Sequence, residues 1–188
     1  MQVILLGLFG LALLFIYDII SLYRVPSRGG LAFLGYALHT LAIFAAAWAG
    51  EKAAFPAAPL WPRVIGALLA LLGGGWLVYC LFLFPSLART YQDPAGPAFT
   101  RAGPYAFSRH PGFIGHLALL GGLLLASRSL LLLRAAGVWV PANLAYVVLQ
   151  DRVLFPRLFR EYGAYRAETP FILPTAASLQ RFWATRWQ

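Results

Sequence analysis

Apolar runs of about 20 residues, separated by polar stretches, make up most of this chain. They cover residues 3–22, 31–49, 64–84, 112–126 and 130–149. A helix needs about 20 apolar residues to cross the hydrocarbon core of a bilayer. We therefore predict an all-α, polytopic membrane protein with about five transmembrane helices, the fourth of them short, followed by a C-terminal cytoplasmic helical tail.

The alternation of apolar and polar stretches also predicts how the chain is organised. We expect a single membrane domain over residues 1–188. Its predicted parts are scaffold helices (1–84), a cytoplasmic loop (85–111), a helical hairpin (112–149) and a cytoplasmic tail (150–188).

The tail has a helical pattern of its own. Leu154, Leu158, Tyr162 and Tyr165 recur at the spacing of one helix face, which predicts a single helix through these positions. Proline residues at 170 and 174 should end it. The arginines and aromatic residues of 179–188 predict a further short helix at the lipid headgroups.

Composition and charge agree with a membrane protein. The chain is 61% hydrophobic and 11% charged, whereas soluble domains carry about 25% charged residues. The net charge of +9 does not indicate nucleic-acid binding, because the basic residues lie in loops and in the tail, as they do in loops that face anionic lipid. We expect membrane lipid as a partner and no nucleic acid.

The distribution of basic residues predicts the orientation. With five crossings, most arginines fall on the side of the 85–111 loop and the tail, and the other side holds only Lys52, Arg63, Arg128 and Arg134. The positive-inside rule then places the C-terminus in the cytoplasm. We expect an integral protein of a bacterial inner membrane, without a cleavable signal peptide because the N-terminus lacks basic residues.

Three isolated side chains within the apolar runs have open interpretations. Asp18 is expected to form a solvated pair with Arg24 or Arg28 at the interface rather than to contact a substrate. His39 marks either a functional site or a hydrogen bond between helices. Cys80, the single cysteine, excludes an intrachain disulfide and is expected to be an inert buried thiol.

The two stretches that flank the predicted hairpin, 101–116 and 150–174, are expected to meet when the chain folds. Pro111 suits the first turn of a helix, whose free N–H groups attract carboxylates and phosphates. Gly112 and Gly115 would let a ligand approach the backbone. His110 titrates near neutrality in its ordinary state. On these residues alone, a membrane-entry turn with an interfacial histidine is the alternative, and we predict no metal site.

The order and spacing of residues in these two stretches resemble a known family. Gly103-Pro104-Tyr105 and the run from Arg109 to Gly115 are similar to the G-P-Y…R-H-P-x-Y-x-G signature of the isoprenylcysteine carboxyl methyltransferase and phospholipid methyltransferase superfamily. The tail from Gln150-Asp151 to Ile172-Leu173-Pro174 is similar to that family's E-E-x-x-L…F-G-x-x-Y-x-x-Y…V-P-x-x-I-P pattern. The resemblance covers residues 100–174.

The resemblance implies a membrane-embedded methyltransferase that uses S-adenosylmethionine, with a tail that closes over the cofactor. It also implies Asp151 and His110 as catalytic residues. The implied cofactor-binding residues are Tyr105, Arg109, His110, Pro111, Gly112, Phe113, Gly115, Gln150, Asp151, Tyr162 and Tyr165.

Three departures from the family pattern bear on these expectations. Phe113 replaces a tyrosine, Gln150-Asp151 replaces a glutamate pair, and Leu158-Phe159 replaces a Phe-Gly pair. The second departure leaves one shorter acid where the family has two.

The expected reaction is methyl transfer to a lipophilic small molecule or a lipid-linked thiol, carboxylate or amine. Such a direct displacement needs alignment and exclusion of water more than covalent help. Two alternatives stay open: an NADPH-dependent membrane reductase of the sterol-reductase type, which shares a similar R-H-P and Y-x-x-Y tail, and a non-catalytic protein of the same fold. The changed acidic pair motivates the second alternative.

Overall fold

The computed structural model describes residues 1–23, 29–51, 60–84 and 100–186, and these residues are mostly helical. The α-helices, numbered in chain order, are α1 (Gln2–Leu22), α2 (Gly29–Ala49), α3 (Trp61–Val78), α4 (Pro104–Phe107), α5 (Pro111–Ser127), α6 (Leu130–Leu149), α7 (Phe155–Leu158), α8 (Tyr162–Glu168) and α9 (Ala176–Thr185). Two π-helices, Tyr79–Leu83 and Gln150–Leu154, continue α3 and α6.

Four helical stretches are long and apolar enough to cross a membrane. They are Gln2–Leu22, Gly29–Ala49, Trp61–Leu83 and Leu130–Leu158. Helix α5 is equally apolar but has 17 residues, so it is about 25 Å long against a hydrocarbon core of about 30 Å. The predicted all-helical membrane character is confirmed in this coarse form. A fifth crossing by α5 and the side of the C-terminus stay predictions.

Contacts between residues divide the chain into two compact units. The first unit consists of Met1–Gly73 and Leu117–Tyr146, and the second consists of Gly74–His116 and Val147–Gln188. The two flanking stretches that the sequence singled out both fall within the second unit. The single membrane domain stays a prediction.

Small residues pack the first unit. Its core contains fully buried alanines such as Ala42, Ala46 and Ala135. A Cβ atom added to Gly122 would lie 2.3 Å from the Ala70 backbone nitrogen, so α5 and α3 touch there backbone to backbone. Such close approach is a common way to gain van der Waals contact between helices in lipid, where the hydrophobic effect does not drive association.

Buried polar side chains of the first unit form hydrogen bonds that link its helices. His39 Nδ1 donates to the Gly7 carbonyl oxygen at 2.9 Å, which confirms the interpretation of His39 as a helix–helix hydrogen bond. The Tyr146 hydroxyl donates to Asp18 Oδ2 at 2.5 Å, and Asp18 is buried. The expected solvated position of Asp18 is wrong, since Asp18 is 2% exposed, and its expected partners at 24 and 28 lie outside the described residues.

The tail of the second unit is more broken than the sequence pattern predicts. The prediction of a single helix through Leu154 and Tyr165 is wrong, because α7 ends at Leu158 and α8 begins only at Tyr162. The backbone of Phe159 between them is extended. Pro156 has no N–H for the carbonyl four residues earlier, and the residues before it form the Gln150–Leu154 π-helix. The tyrosines nevertheless pack with Phe159 in one buried cluster.

The end of the tail agrees better with the prediction. Helix α8 ends at Glu168, before the prolines, and α9 begins at Ala176, three residues ahead of the predicted start. A capping box fixes that start: the Ser178 N–H donates to Thr175 Oγ1 and the Thr175 N–H donates to Ser178 Oγ.

Candidate functional site

The segment between α4 and α5 is held against the tail by its backbone. Gly103, with φ at +54°, and Pro104 start the one-turn helix α4, which ends at Ser108. The Arg109 N–H donates to the Pro170 carbonyl at 2.9 Å, and the Ser108 hydroxyl donates to the Phe171 carbonyl at 3.0 Å. The predicted meeting of the two flanking stretches is therefore confirmed.

A buried ion pair joins the two stretches. Arg109 Nε lies 2.9 Å from Asp151 Oδ1, and Arg109 Nη2 donates to Asp151 Oδ2 at 3.4 Å. The two side chains are 9% and 4% exposed. Arg109 Nη1 also donates to the Arg166 carbonyl at 2.7 Å. The ion pair thus contains one hydrogen bond, from Nη2, and a close Nε–Oδ1 contact of opposite charges.

The two tail tyrosines complete this polar cluster. The Tyr162 hydroxyl donates to Asp151 Oδ1 at 2.6 Å, and the Tyr165 hydroxyl donates to the Tyr105 carbonyl at 2.7 Å. Burial, together with the hydrogen bond to Asp151, raises the pKa of Tyr162. Burial also raises the pKa of Tyr165 well above its ordinary value. Both tyrosines therefore stay protonated and act as hydrogen-bond donors.

His110 lies beside the ion pair in an aromatic slot. Its ring is stacked on Phe155, with centroids 5.9 Å apart, and meets the edge of Phe171 at 5.2 Å. His110 Nε2 is 3.7 Å from Asp151 Oδ1, which is too long for a hydrogen bond, and it is buried with no hydrogen-bond partner among the described residues. Burial lowers the pKa of His110, although Asp151 opposes the shift. The imidazole is therefore neutral at pH 7.

The remaining predicted site residues lie around the start of α5 and of the π-helix. Pro111 is buried, and its carbonyl accepts the Trp76 Nε1–H at 2.9 Å. Phe113 and Gly115 are buried, Gly112 and Gln150 are half-buried, and the Tyr105 hydroxyl donates to the Cys80 carbonyl at 3.3 Å. Their part in cofactor binding, like catalysis by Asp151 and His110, stays a prediction.

No family model, curated protein or solved structure matches this chain.

Sequence reasoning missed three side chains that shape the site. Phe155 and Phe171 flank His110, and the Arg109 guanidinium lies 5.6 Å from the Phe171 ring centroid. The Ser108 hydroxyl accepts a hydrogen bond from the His110 N–H at 3.2 Å. This bond orients the backbone of Arg109 and His110. For two of them, the sequence gives only their position as an indication of a role: Ser108 precedes the Arg-His-Pro triplet, and Phe171 lies between the two tail prolines.

Two polar groups of the site, His110 Nε2 and the Asp151 carboxylate, differ in how well they could contact S-adenosylmethionine. Buried His110 Nε2 offers a polar contact that the described protein groups leave unused. Both side chains are 4% exposed, but Arg109 and Tyr162 already engage the Asp151 carboxylate. The carboxylate is therefore suited to hold the side chains around it, whereas His110 is suited to contact a ligand.

Proposed function

We propose that this chain is an integral membrane methyltransferase that uses S-adenosylmethionine and methylates a lipophilic or lipid-linked thiol, carboxylate or amine. One observation carries the proposal: the Arg109–Asp151 ion pair, which joins residues 42 positions apart in the sequence. The pair unites the two stretches whose residue order resembles the methyltransferase family. The hairpin between the stretches already brings them together, and the ion pair adds that residues from both motifs form one buried cluster.

In the proposed site the side chains have distinct tasks. Asp151 is a positioning residue that holds Arg109 and Tyr162 in place. His110 Nε2 contacts the cofactor or the acceptor. The cofactor, when bound, would supply a methyl group on its sulfonium: the acceptor nucleophile would attack the methyl carbon, the methyl–sulfur bond would break, and S-adenosylhomocysteine would leave. A neutral His110 takes up the acceptor's proton where the acceptor must lose one.

The proposed setting is the cytoplasmic face of a bacterial inner membrane. The four membrane-length helices support the membrane setting. The excess of arginine in the 85–111 loop and the tail supports the orientation, which takes α5 as a fifth crossing so that the loop and the tail share one side. A lipophilic acceptor then enters from the bilayer and the polar cofactor from the cytoplasm.

Binding of S-adenosylhomocysteine to the protein in mild detergent, measured by calorimetry, tests the proposal. We expect saturable binding that weakens about tenfold or more in Gly112→Ala, because the added methyl group occupies space that a ligand near the backbone would use. The protein itself tolerates this Cβ, which would lie 3.8 Å from Leu81 Cδ2. The matched control is Gly121→Ala in the same helix, where nothing lies within 4 Å of the added atom.

A folded protein without detectable binding would overturn the proposal. The engaged carboxylate of Asp151 would then favour the non-catalytic alternative, in which the cluster serves stability alone. Oxidation of NADPH in the presence of candidate enones, measured by its absorbance, would instead indicate the reductase alternative.

A further inference from the structure

Helix α9 has a buried side and an exposed apolar side. Ser178 is buried, and Phe182 packs edge-on against Phe107 with ring centroids 5.9 Å apart. On the other side, Leu179 and Trp183 are 43% and 55% exposed. Leu173, just before the helix, is 81% exposed. No residue in the described part of the second unit shields these three apolar side chains from solvent.

The buried side of α9 packs against the end of a membrane-length helix. The Phe182 and Trp76 rings are 5.8 Å apart, and the Tyr79 hydroxyl donates to the Arg186 carbonyl at 3.1 Å. Trp76 and Tyr79 belong to the last third of Trp61–Leu83, the third candidate span. Helix α9 is therefore attached where that span ends, and a bilayer surface lies where a span ends.

The charge of this stretch indicates what covers it. Residues 170–188 contain arginines but no aspartate or glutamate. The Arg186 guanidinium lies 5.0 Å from the Trp183 ring centroid, so a basic group borders the exposed apolar side. Tryptophan and arginine are enriched at the headgroup level, and anionic lipid attracts basic segments. A helix of this kind lies in the interface with its apolar side inserted.

We propose that α9 docks onto anionic phospholipid headgroups through Leu179 and Trp183, and that this docking steadies the segment that carries the functional site. The Gly103 N–H donates to Thr185 Oγ1 at 3.0 Å, so α9 is bonded to the start of α4. Trp76, which touches Phe182, also bonds to the Pro111 carbonyl at the start of α5. Lipid on one side of α9 thus stabilises the Gly103–Pro111 segment on the other. The steadying of the site rests on the proposed function, whereas the docking does not.

Fluorescence quenching in nanodiscs tests the docking. A bimane label on Leu179→Cys is compared with one on Ala177→Cys, which is exposed on the opposite flank of α9, and the native Cys80 is fully buried. Discs contain phosphatidylcholine alone or with phosphatidylglycerol, plus a nitroxide lipid. We expect strong quenching at 179, weak quenching at 177, and a gain with the anionic lipid.

A charge variant makes the docking test quantitative. Adding Arg186→Gln should lower the ratio of docked to undocked helix about fivefold in anionic discs. Equal quenching at the two labelled positions in both lipids would overturn the docking. A blue-shifted label at 179 that nitroxide lipid does not quench would indicate a second protein copy as the cover, and would also overturn it.

The coupling to the site is tested by S-adenosylhomocysteine affinity in the same two kinds of disc. We expect tighter binding in anionic discs and no difference between discs for Trp183→Ser. Docking without any change in affinity would overturn the coupling. Absence of binding in every disc would overturn the proposed function, while the quenching result would still decide the docking.

Discussion

The two compact units are packed by different means. Alanine and glycine let the helices of the first unit touch backbone to backbone, as at Gly122 and Ala70. The second unit instead combines a buried ion pair with aromatic rings, as at Arg109, Asp151 and Phe171. The first arrangement gives close van der Waals contact between helices, whereas the second concentrates charge and ring surface at one place.

The largest expected effect is the loss of the buried carboxylate in the second unit. Asp151→Asn leaves the Arg109 charge buried without its partner, and we expect the free energy of unfolding in detergent to fall by about 3 to 5 kcal/mol. Denaturant titration measures it.

The control for this change is an ion pair of the same length at the surface. Arg101 Nη2 lies 2.9 Å from Glu161 Oε2, but Glu161 is 77% exposed. Glu161→Gln should therefore cost less than about 1 kcal/mol. Similar losses in the two variants would mean that burial of the Asp151 pair does not set its importance.

The next effect concerns the small-residue packing of the first unit. Gly122→Ala places a methyl group against the α3 backbone, and we expect the free energy of unfolding to fall by about 2 kcal/mol. Gly121→Ala is the matched control, because its Cβ meets open space and alanine has the better helix propensity. Equal stability of the two variants would contradict tight contact between α5 and α3.

The smallest effect is a pH dependence that comes from His110. An unfolded histidine has a pKa of about 6.5, whereas burial lowers the pKa of folded His110. As the pH falls below about 6.5, the unfolded state takes up a proton that the folded state does not, so the free energy of unfolding decreases. Denaturant titrations from about pH 7.5 down to about pH 5.5 should show a shallower decrease for His110→Gln. Parallel slopes would mean that Asp151 keeps the folded pKa near its ordinary value.

The sequence predicts the long helices well because their cause is local. Five apolar runs have bounds close to those observed, and 130–149 coincides with α6, since a bilayer-length apolar run needs no tertiary contact to be recognised. The sequence also predicts that the stretches carrying Arg109 and Asp151 come together, because the hairpin between them returns the chain to its starting level.

The rest of the site depends on contacts that no periodicity encodes. The helix break at Phe159 has no signal in the spacing of the tyrosines, which predicted one helix instead. Phe155 and Phe171 reach His110 from different tail segments, so their roles emerge only when the tail is folded. The contacts of the Asp151 carboxylate with Arg109 and Tyr162 likewise form only in the folded chain.

The π-helix at Gln150–Leu154 has a consequence for how this chain tolerates changes in length. A π-helical turn accommodates one residue more than the α-helical turn it replaces, and such turns are frequent at functional sites. Deleting one residue between Asp151 and Phe155 would let the α-helix close and would leave α7 and the rest of the tail near their present orientation. A one-residue deletion is therefore better tolerated in this turn than in a plain α-helical turn, where it would rotate everything downstream by about 100°.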